Sequence, residues 1–390
     1  MTPREIIASI ISQFGPRRAG SVSEQKAQIW VNQFLEQLPG VKTRIIPFKA
    51  AIRAKFLSSR IIWPLFWLSL WLYFVNKSYW IAILSSSITA AMFFFHFVSY
   101  RHILDFLYRK RKSANVEGIL EPLNARNVKN TVIITAHIDS TPEFIWWYRF
   151  GSLSATLMVI SGALLLSFPV VALIIKILNP YSINFLTPVK IIYGFTGVLG
   201  LQFFFIHGNR VVDGAQDNLS GISCILKVME HFAFNHSLKN TRLVSVSFGS
   251  EETGLRGSHN YVKTQTAQFK DSKIWNINLD GILLKDHFNI ITAEPSIWIK
   301  HSSYLINLLK NSFDELKTPC ASGPLLIGAT DGASFSRFAF DSVSIVALPL
   351  GKIHPTYHTR RDVLAEIDND CLETLCKVVI RAIEKLDNES

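Results

Sequence analysis

Cysteine is nearly missing from this chain of 390 residues: the four thiols are Cys224, Cys320, Cys371 and Cys376, with no CxxC pair and no Cys/His cluster. That argues against a structural zinc knuckle. Sparse thiols fit a reducing compartment. Charge is also scarce, at 18% of residues, yet the balance is +11. The basic excess flanks apolar blocks, which points to membrane orientation rather than nucleic-acid binding. The opening MTPREIIASIISQFGPRRAG lacks the basic head, apolar run and small-residue cleavage site of a signal peptide. It reads instead as a short amphipathic helix ending near Gly15-Pro16. Internal repeats and low-complexity tracts are missing too.

Apolar residues, by contrast, are abundant at 49%, and the 28 Phe and 9 Trp crowd into blocks before residue 210. Four near-continuous apolar stretches, at about residues 61–75, 79–100, 152–175 and 190–206, read as two transmembrane hairpins. The implied organisation is an N-terminal part of a catalytic domain (1–60), a hairpin (61–100), a catalytic segment (101–150), a second hairpin (151–207) and the main catalytic segment (208–390). Four spans would leave all three catalytic pieces on one side. Arg53, Lys55 and Arg60, with Arg101, Arg109, Lys110, Arg111 and Lys112, mark that side as cytoplasmic. The expectation is a multi-pass integral protein of a bacterial inner membrane in contact with the lipid bilayer, its catalytic domain facing the cytoplasm. Glu143, Trp146, Trp147 and Tyr148 would then lie near the membrane boundary, where rings carrying a polar group are favoured. The hairpins would serve either as an anchor or to shape access for a hydrophobic substrate.

Outside the apolar blocks, strand-like and helix-like segments alternate. Candidate strands are VKTRIIPFKA, TVIITAH, RLVSVSFGS, KIWNINLD and VSIVALPL. Candidate helices cover residues 23–38, 220–234, the region of His259 and Tyr261, 302–316 and 371–386. The fold class expected is α/β: a mixed, mainly parallel sheet with helices on both faces, plus the four transmembrane helices.

Acidic and imidazole residues recur where the candidate strands end: His137 and Asp139, Asp217 in DGAQDNLSG, Glu251-Glu252 after VSVSFGS, Asp280 after IWNINL, and His358 in HPTYHTRRD. Ligands gather at such strand ends, because rigid strands fix positions while loops supply groups. Each residue alone is weak: an HxD is commonly a satisfied loop histidine, EE a solvated pair, and DGAQDNLSG a polar helix cap. Converged, three carboxylates and two histidines need cations, and zinc suits both donor types. Ser220, Ser250 and Cys224 lack the context of a nucleophile and read as structural.

In combination and order, GPRRAGS, AHIDS, DGAQDNLSG, FGSEETGLRGS, NLDG and YHTRRD resemble the co-catalytic zinc aminopeptidase family. That family is typified by bacterial secreted aminopeptidases and includes carboxypeptidase-like members and relatives of glutaminyl cyclase. The resemblance implies two zinc ions, with His137 and Asp280 completing one site, Glu252 and His358 the other, and Asp217 bridging them. It gives Glu251 the role of general base and Asp139 that of fixing the His137 tautomer. Tyr357 would donate to the developing oxyanion, and Asp362 would support His358. The activity implied is peptide hydrolysis by a metal-activated water, with aminopeptidase action as the first reading. The alternatives are a metal-dependent amidase or deacylase on a hydrophobic amide, glutaminyl cyclisation, or a non-catalytic scaffold. Two departures from the family pattern are Gly281 after Asp280 and TDGASFSRF, with Asp331 and Phe335, where a histidine commonly follows the aspartate. The sequence leaves the oligomeric state open.

Overall fold

Runs of β-branched residues bounded by turn formers build one eight-stranded sheet. The computed structural model describes residues 1–126, 128–178, 183–351 and 353–389. Its sheet strands are β1 (Val41–Ala50), β2 (Arg111–Leu120), β3 (Asn130–His137), β4 (Thr241–Phe248), β5 (Lys273–Ile282), β6 (Phe288–Ile291), β7 (Ala321–Gly323) and β8 (Asp341–Ala347). They lie in the order β1-β2-β4-β3-β5-β8-β6-β7. The central four, β4, β3, β5 and β8, pair in parallel, while β1, β2 and β6 join antiparallel. Pro47 within β1 cannot donate a ladder hydrogen bond, which suits an edge strand.

The chain forms two units. The first joins Met1–Ile52, Lys110–Glu143 and Asn209–Ser390, and the second joins Arg53–Arg109 and Phe144–Gly208. In the first unit, alternation along β3 sends Val132, Ile134 and Ala136 to one core and Ile133 to another. The larger core is closed by helices α1 (Pro3–Phe14), α2 (Val22–Glu36), α3 (Ser220–Asn235), α5 (Ser303–Glu315) and α6 (Asn369–Asn388). On the other face Tyr261 and Val262 of α4 (Arg256–Gln265) pack with Phe248 and Phe335. A mixed, mostly parallel sheet covered on both faces is what the sequence predicts.

The second unit is helical, and here the expectation of four transmembrane helices needs correction. Tyr79–Val98 and Ser152–Leu178, of 20 and 27 residues, are long and apolar enough to cross a membrane, and among the described residues they are the only two. The helices Ser59–Phe74 and Ile183–Leu199 have 16 and 17 residues. At a rise of about 1.5 Å per residue they reach roughly 25 Å, short of a hydrocarbon core about 30 Å thick. Part of the apolar character of Ser59–Phe74 has a packing explanation within the unit. Ile62, Trp63 and Phe66 are fully buried, with Trp63 stacked on Phe203 at 5.3 Å and Phe66 edge-on to Phe168 at 5.7 Å. The placement as a multi-pass inner-membrane protein with a cytoplasmic catalytic face rested on an even count of four spans, and it falls with that count.

Candidate metal centre

Parallel β4, β3 and β5 end at the same edge, so their C-terminal residues share one neighbourhood. His137 closes β3 opposite Phe248, the last residue of β4, and the Glu251-Glu252 turn follows. Asp280 stands near the end of β5. Asp217 arrives from a kinked turn, Ala215–Leu219, directly before α3, with Gly214 in the left-handed conformation and a cis peptide between Asp217 and Asn218. Asn218 fastens this turn to β5: its Nδ2 donates to the Leu279 carbonyl at 2.8 Å, and its Oδ1 accepts from Gly221 N at 3.1 Å.

All five expected ligands converge. His137 Nε2 lies 3.1 Å from Asp217 Oδ1 and 3.7 Å from Asp280 Oδ1. His358 Nε2 lies 3.2 Å from Asp217 Oδ2 and 3.4 Å from Glu252 Oε2. The donors form two groups, His137–Asp217–Asp280 and Asp217–Glu252–His358, each with its ligand atoms within 4.8 Å of one another. Asp217 belongs to both, one oxygen turned to each imidazole. Glu251 Oε2 stands 3.8 Å from His137 Nε2, and its side chain is 12% exposed, so it borders the opening.

The supporting hydrogen bonds are distributed differently from what the motifs imply. His137 Nδ1 faces the main-chain oxygen of Asp139 at 3.1 Å, while the Asp139 carboxylate lies farther, at 3.6 Å. That carboxylate instead accepts from Glu251 N at 3.0 Å and Glu252 N at 3.2 Å, which fixes the acidic turn. Asp362 supports the bridging residue: it accepts from Gln216 N at 2.6 Å and Asp217 N at 3.2 Å. Tyr357 stacks on the His358 ring with centroids 3.9 Å apart. Ser220 is structural, donating to the Gln216 carbonyl at 2.6 Å and accepting from Ile282 N at 3.1 Å.

Two residues matter here beyond the expected set. Arg17, in GPRRAGS, is fully buried and donates to the carbonyls of Gly15, Ile138, Asp213 and Gly214 at 2.8–3.2 Å. It thereby braces the segments leading from His137 and into Asp217. Glu143, expected beside a bilayer, is 1% exposed and pairs with Arg360 at 2.7 Å. A buried acid within TPEF, just before a run of aromatics, gives no sequence signal for a partner 217 positions away.

Electrostatics show what the site lacks without cations. Burial, with Asp217 and Glu251 adding to it, pushes Glu252 well above the usual carboxylate range. Burial likewise raises Asp280, raises Asp331 to about 7 and, with help from Asp217, raises Asp362 to about 8. Burial opposes the charged form of His137, but Glu251, Asp139, Asp217 and Asp280 outweigh it and hold the imidazole well above its ordinary value. Burial would raise Asp217 too, yet His137 and His358 hold it far below the usual range. Such a cluster fits a pair of zinc ions, because imidazole nitrogen and carboxylate oxygen are zinc donors and divalent charge offsets the crowded acids.

The model of peptidase family M28 matches residues 199–383. An aminopeptidase of Bacillus subtilis strain 168, YwaD, is 26% identical over 189 residues, covering 44% of this chain and 37% of its own length. The chain thus spans little more than a third of that curated relative. Among solved structures, the zinc aminopeptidase BSAP of Bacillus subtilis superposes with a TM-score of 0.56 at 15% identity, over 98% of this chain and 94% of that one. Glutaminyl cyclase of Porphyromonas gingivalis superposes with a TM-score of 0.58 at 13% identity, over 99% and 97%. The matches define a class of fold, that of the zinc aminopeptidases, and the two donor groups fit a pair of metal ions within it. The folds matched over nearly the whole chain are those of α/β enzymes, a second ground against the multi-pass inner-membrane placement.

Proposed function

We propose that this chain is an aminopeptidase that hydrolyses peptide bonds with two zinc ions and Glu251 as general base. The observation that carries the reading is Asp217, whose two carboxylate oxygens face two different imidazoles at 3.1 and 3.2 Å, the placement of a bridging ligand. His137 and Asp280 complete one site, Glu252 and His358 the other. Bound there, the ions would polarise the scissile carbonyl and make a water nucleophilic near neutral pH. The chain's own residues handle position and protons. His137 keeps its Nδ1 proton on the Asp139 carbonyl, leaving Nε2 as the donor atom. Asp139 holds the Glu251-Glu252 turn by its two amides, so Glu251 and Glu252 are fixed as a unit. Glu251, bordering the opening, takes the proton from the attacking water and passes it to the leaving amine nitrogen. Tyr357, adjoining His358, supplies a hydroxyl toward the oxygen that becomes negative.

All of this chemistry falls within the discontinuous first unit. In the second unit, exposed side chains such as Trp80, Ile81 and Leu84, and Val170, Ile174 and Ile177, support contact with lipid by the two longer helices.

Two measurements test the reading. Metal analysis of the purified full chain is expected to give two zinc ions per molecule. Digestion of a peptide library is expected to release residues singly from free amino termini, leaving amino-blocked copies intact. Cleavage of blocked peptides, or fewer than two ions, would overturn it.

A further inference from the structure

His358 carries a backbone burden that its role as a donor does not explain. Its φ is +56°, in the left-handed region that residues other than glycine rarely occupy. Such a conformation persists only where the surroundings over-determine it. On one side Asp362, four residues on, is tied to the amides of Gln216 and Asp217. On the other, Arg360 is gripped by Glu143: Oε1 accepts from Arg360 Nε at 2.7 Å and from its backbone N at 3.1 Å, and Oε2 accepts from Nη2 at 2.7 Å. A guanidinium held by both carboxylate oxygens is fixed in direction as well as distance. The extra bond to the Arg360 amide restrains the main chain itself, two residues from His358.

Glu143 is in turn anchored between the segments that carry two of the other ligands, His137 and Asp217. Its amide donates to the Arg210 carbonyl at 2.8 Å, Val212 N donates to the Thr141 carbonyl at 3.0 Å, and Pro142 bridges Val211 in antiparallel sense. Segment 141–143 continues back to Asp139 and His137, and 210–212 runs on to Asp217. One buried carboxylate therefore fastens the His358 loop to the bridged pair of segments that lead to His137 and Asp217.

We propose that Glu143 is the positioning residue for His358, setting the affinity of the metal site that His358 completes; this rests on the two-zinc reading above. Glu143 lies outside both donor groups. It acts by holding Arg360, and through it the strained backbone at 358.

The test titrates metal-free full-length protein with cobalt(II) while recording its visible absorption, a readout independent of turnover. Wild type is expected to take up two ions. Glu143→Ala is expected to bind the first normally and the second at least about tenfold more weakly, since a lost supporting contact typically costs a metal site about 10- to 100-fold. Its kcat is expected to fall with KM unchanged, and Glu143→Gln, which keeps an acceptor for the Arg360 amide, to lie between. In a His358→Ala background, which lacks that site, Glu143→Ala is expected to leave the remaining ion's affinity unchanged. Should Glu143→Ala not fold, Arg360→Lys, which keeps charge but not the two-pronged grip, is expected to show the same selective weakening. Wild-type affinity for both ions in the folded variants would overturn the proposal while leaving the two-metal reading intact. Fewer than two ions in wild type would overturn both.

Discussion

At Asp217 one carboxylate meets two imidazoles, and its own main-chain amide rests on another carboxylate, Asp362. Glu251 is placed differently: it stands near His137 without belonging to either donor group, and it retains some access to solvent. That contrast is the one expected between a proton carrier and a ligand, and it can be checked with a side chain of equal size. Glu251→Gln is expected to keep both zinc ions while lowering peptide hydrolysis by about 100- to 10,000-fold, the usual contribution of general acid–base catalysis. Metal analysis and single-turnover hydrolysis on the same preparation measure the two effects separately. Activity near the wild-type level would remove Glu251 as the base. Asp217→Asn is expected to act on binding, losing at least one of the two ions, because a neutral amide offers one weak oxygen where two charged ones were shared. Isothermal titration with zinc measures the stoichiometry; two ions bound with unchanged affinity would show that Asp217 is not the bridge.

Between elements, the critical contact is where α3 meets the sheet. Gly221 has no room for a side chain: a Cβ there would lie 2.5 Å from Asn218 Oδ1, 2.6 Å from the Leu279 carbonyl and 3.0 Å from the Ala136 Cβ. Two of those neighbours belong to strands whose ends carry His137 and Asp280. Gly221→Ala is therefore expected to push the helix start away from β3 and β5, costing about 1–3 kcal/mol as overpacking does and displacing Asp217 with it. Urea denaturation gives the first effect and zinc affinity the second; wild-type values for both would mean the turn relaxes freely. Elements of this kind are legible in sequence. Runs such as TVIITAH and RLVSVSF alternate toward two cores, and glycines and acids mark where they stop. The strand β2 is not legible, because it is polar inside. Asn115 donates to the Gly257 carbonyl and accepts from Gly249 N, while Glu117, 1% exposed, meets Arg44 at 2.8 Å and the Tyr261 hydroxyl at 2.5 Å. Periodicity finds a strand by its apolar face and misses one whose buried face is satisfied by distant partners. The same reasoning covers Glu143, whose partner lies far along the chain. For the apolar blocks, composition identifies helices but does not fix where they end, and the ends decided two spans against four.

Over the whole molecule, buried acids make stability depend on pH and on metal together. Besides Asp331 and Asp362, Glu24 is fully buried, and burial, with Asp139 nearby, raises its carboxyl to about 8 although Gly20 N, Ser113 and Ser250 N all donate to it. These three groups have ordinary values of 3.8 or 4.5 and are held at about 7 to 8 in the folded chain. Between those limits the folded state binds more protons than the unfolded state, so stability falls as pH rises. His137, also raised, has the same sign: its contribution is complete below its ordinary 6.5 and is lost as pH climbs through its folded value. Asp217, held low, has the opposite sign, but its stabilisation is already in place above 3.8 and stays level across this range. The metal-free protein is thus expected to lose stability steadily from about pH 5 to pH 8, at up to roughly 1.4 kcal/mol per pH unit for each proton released. Zinc favours the ionised acids around it and binds only the folded cluster, so it should flatten or reverse the slope, most strongly at the alkaline end. Urea midpoints measured at several pH values, once with chelator and once with excess zinc, give the two curves. Parallel curves would mean that the buried acids and the metals are not linked; curves that diverge as pH rises would tie the charge economy of the fold to its chemistry.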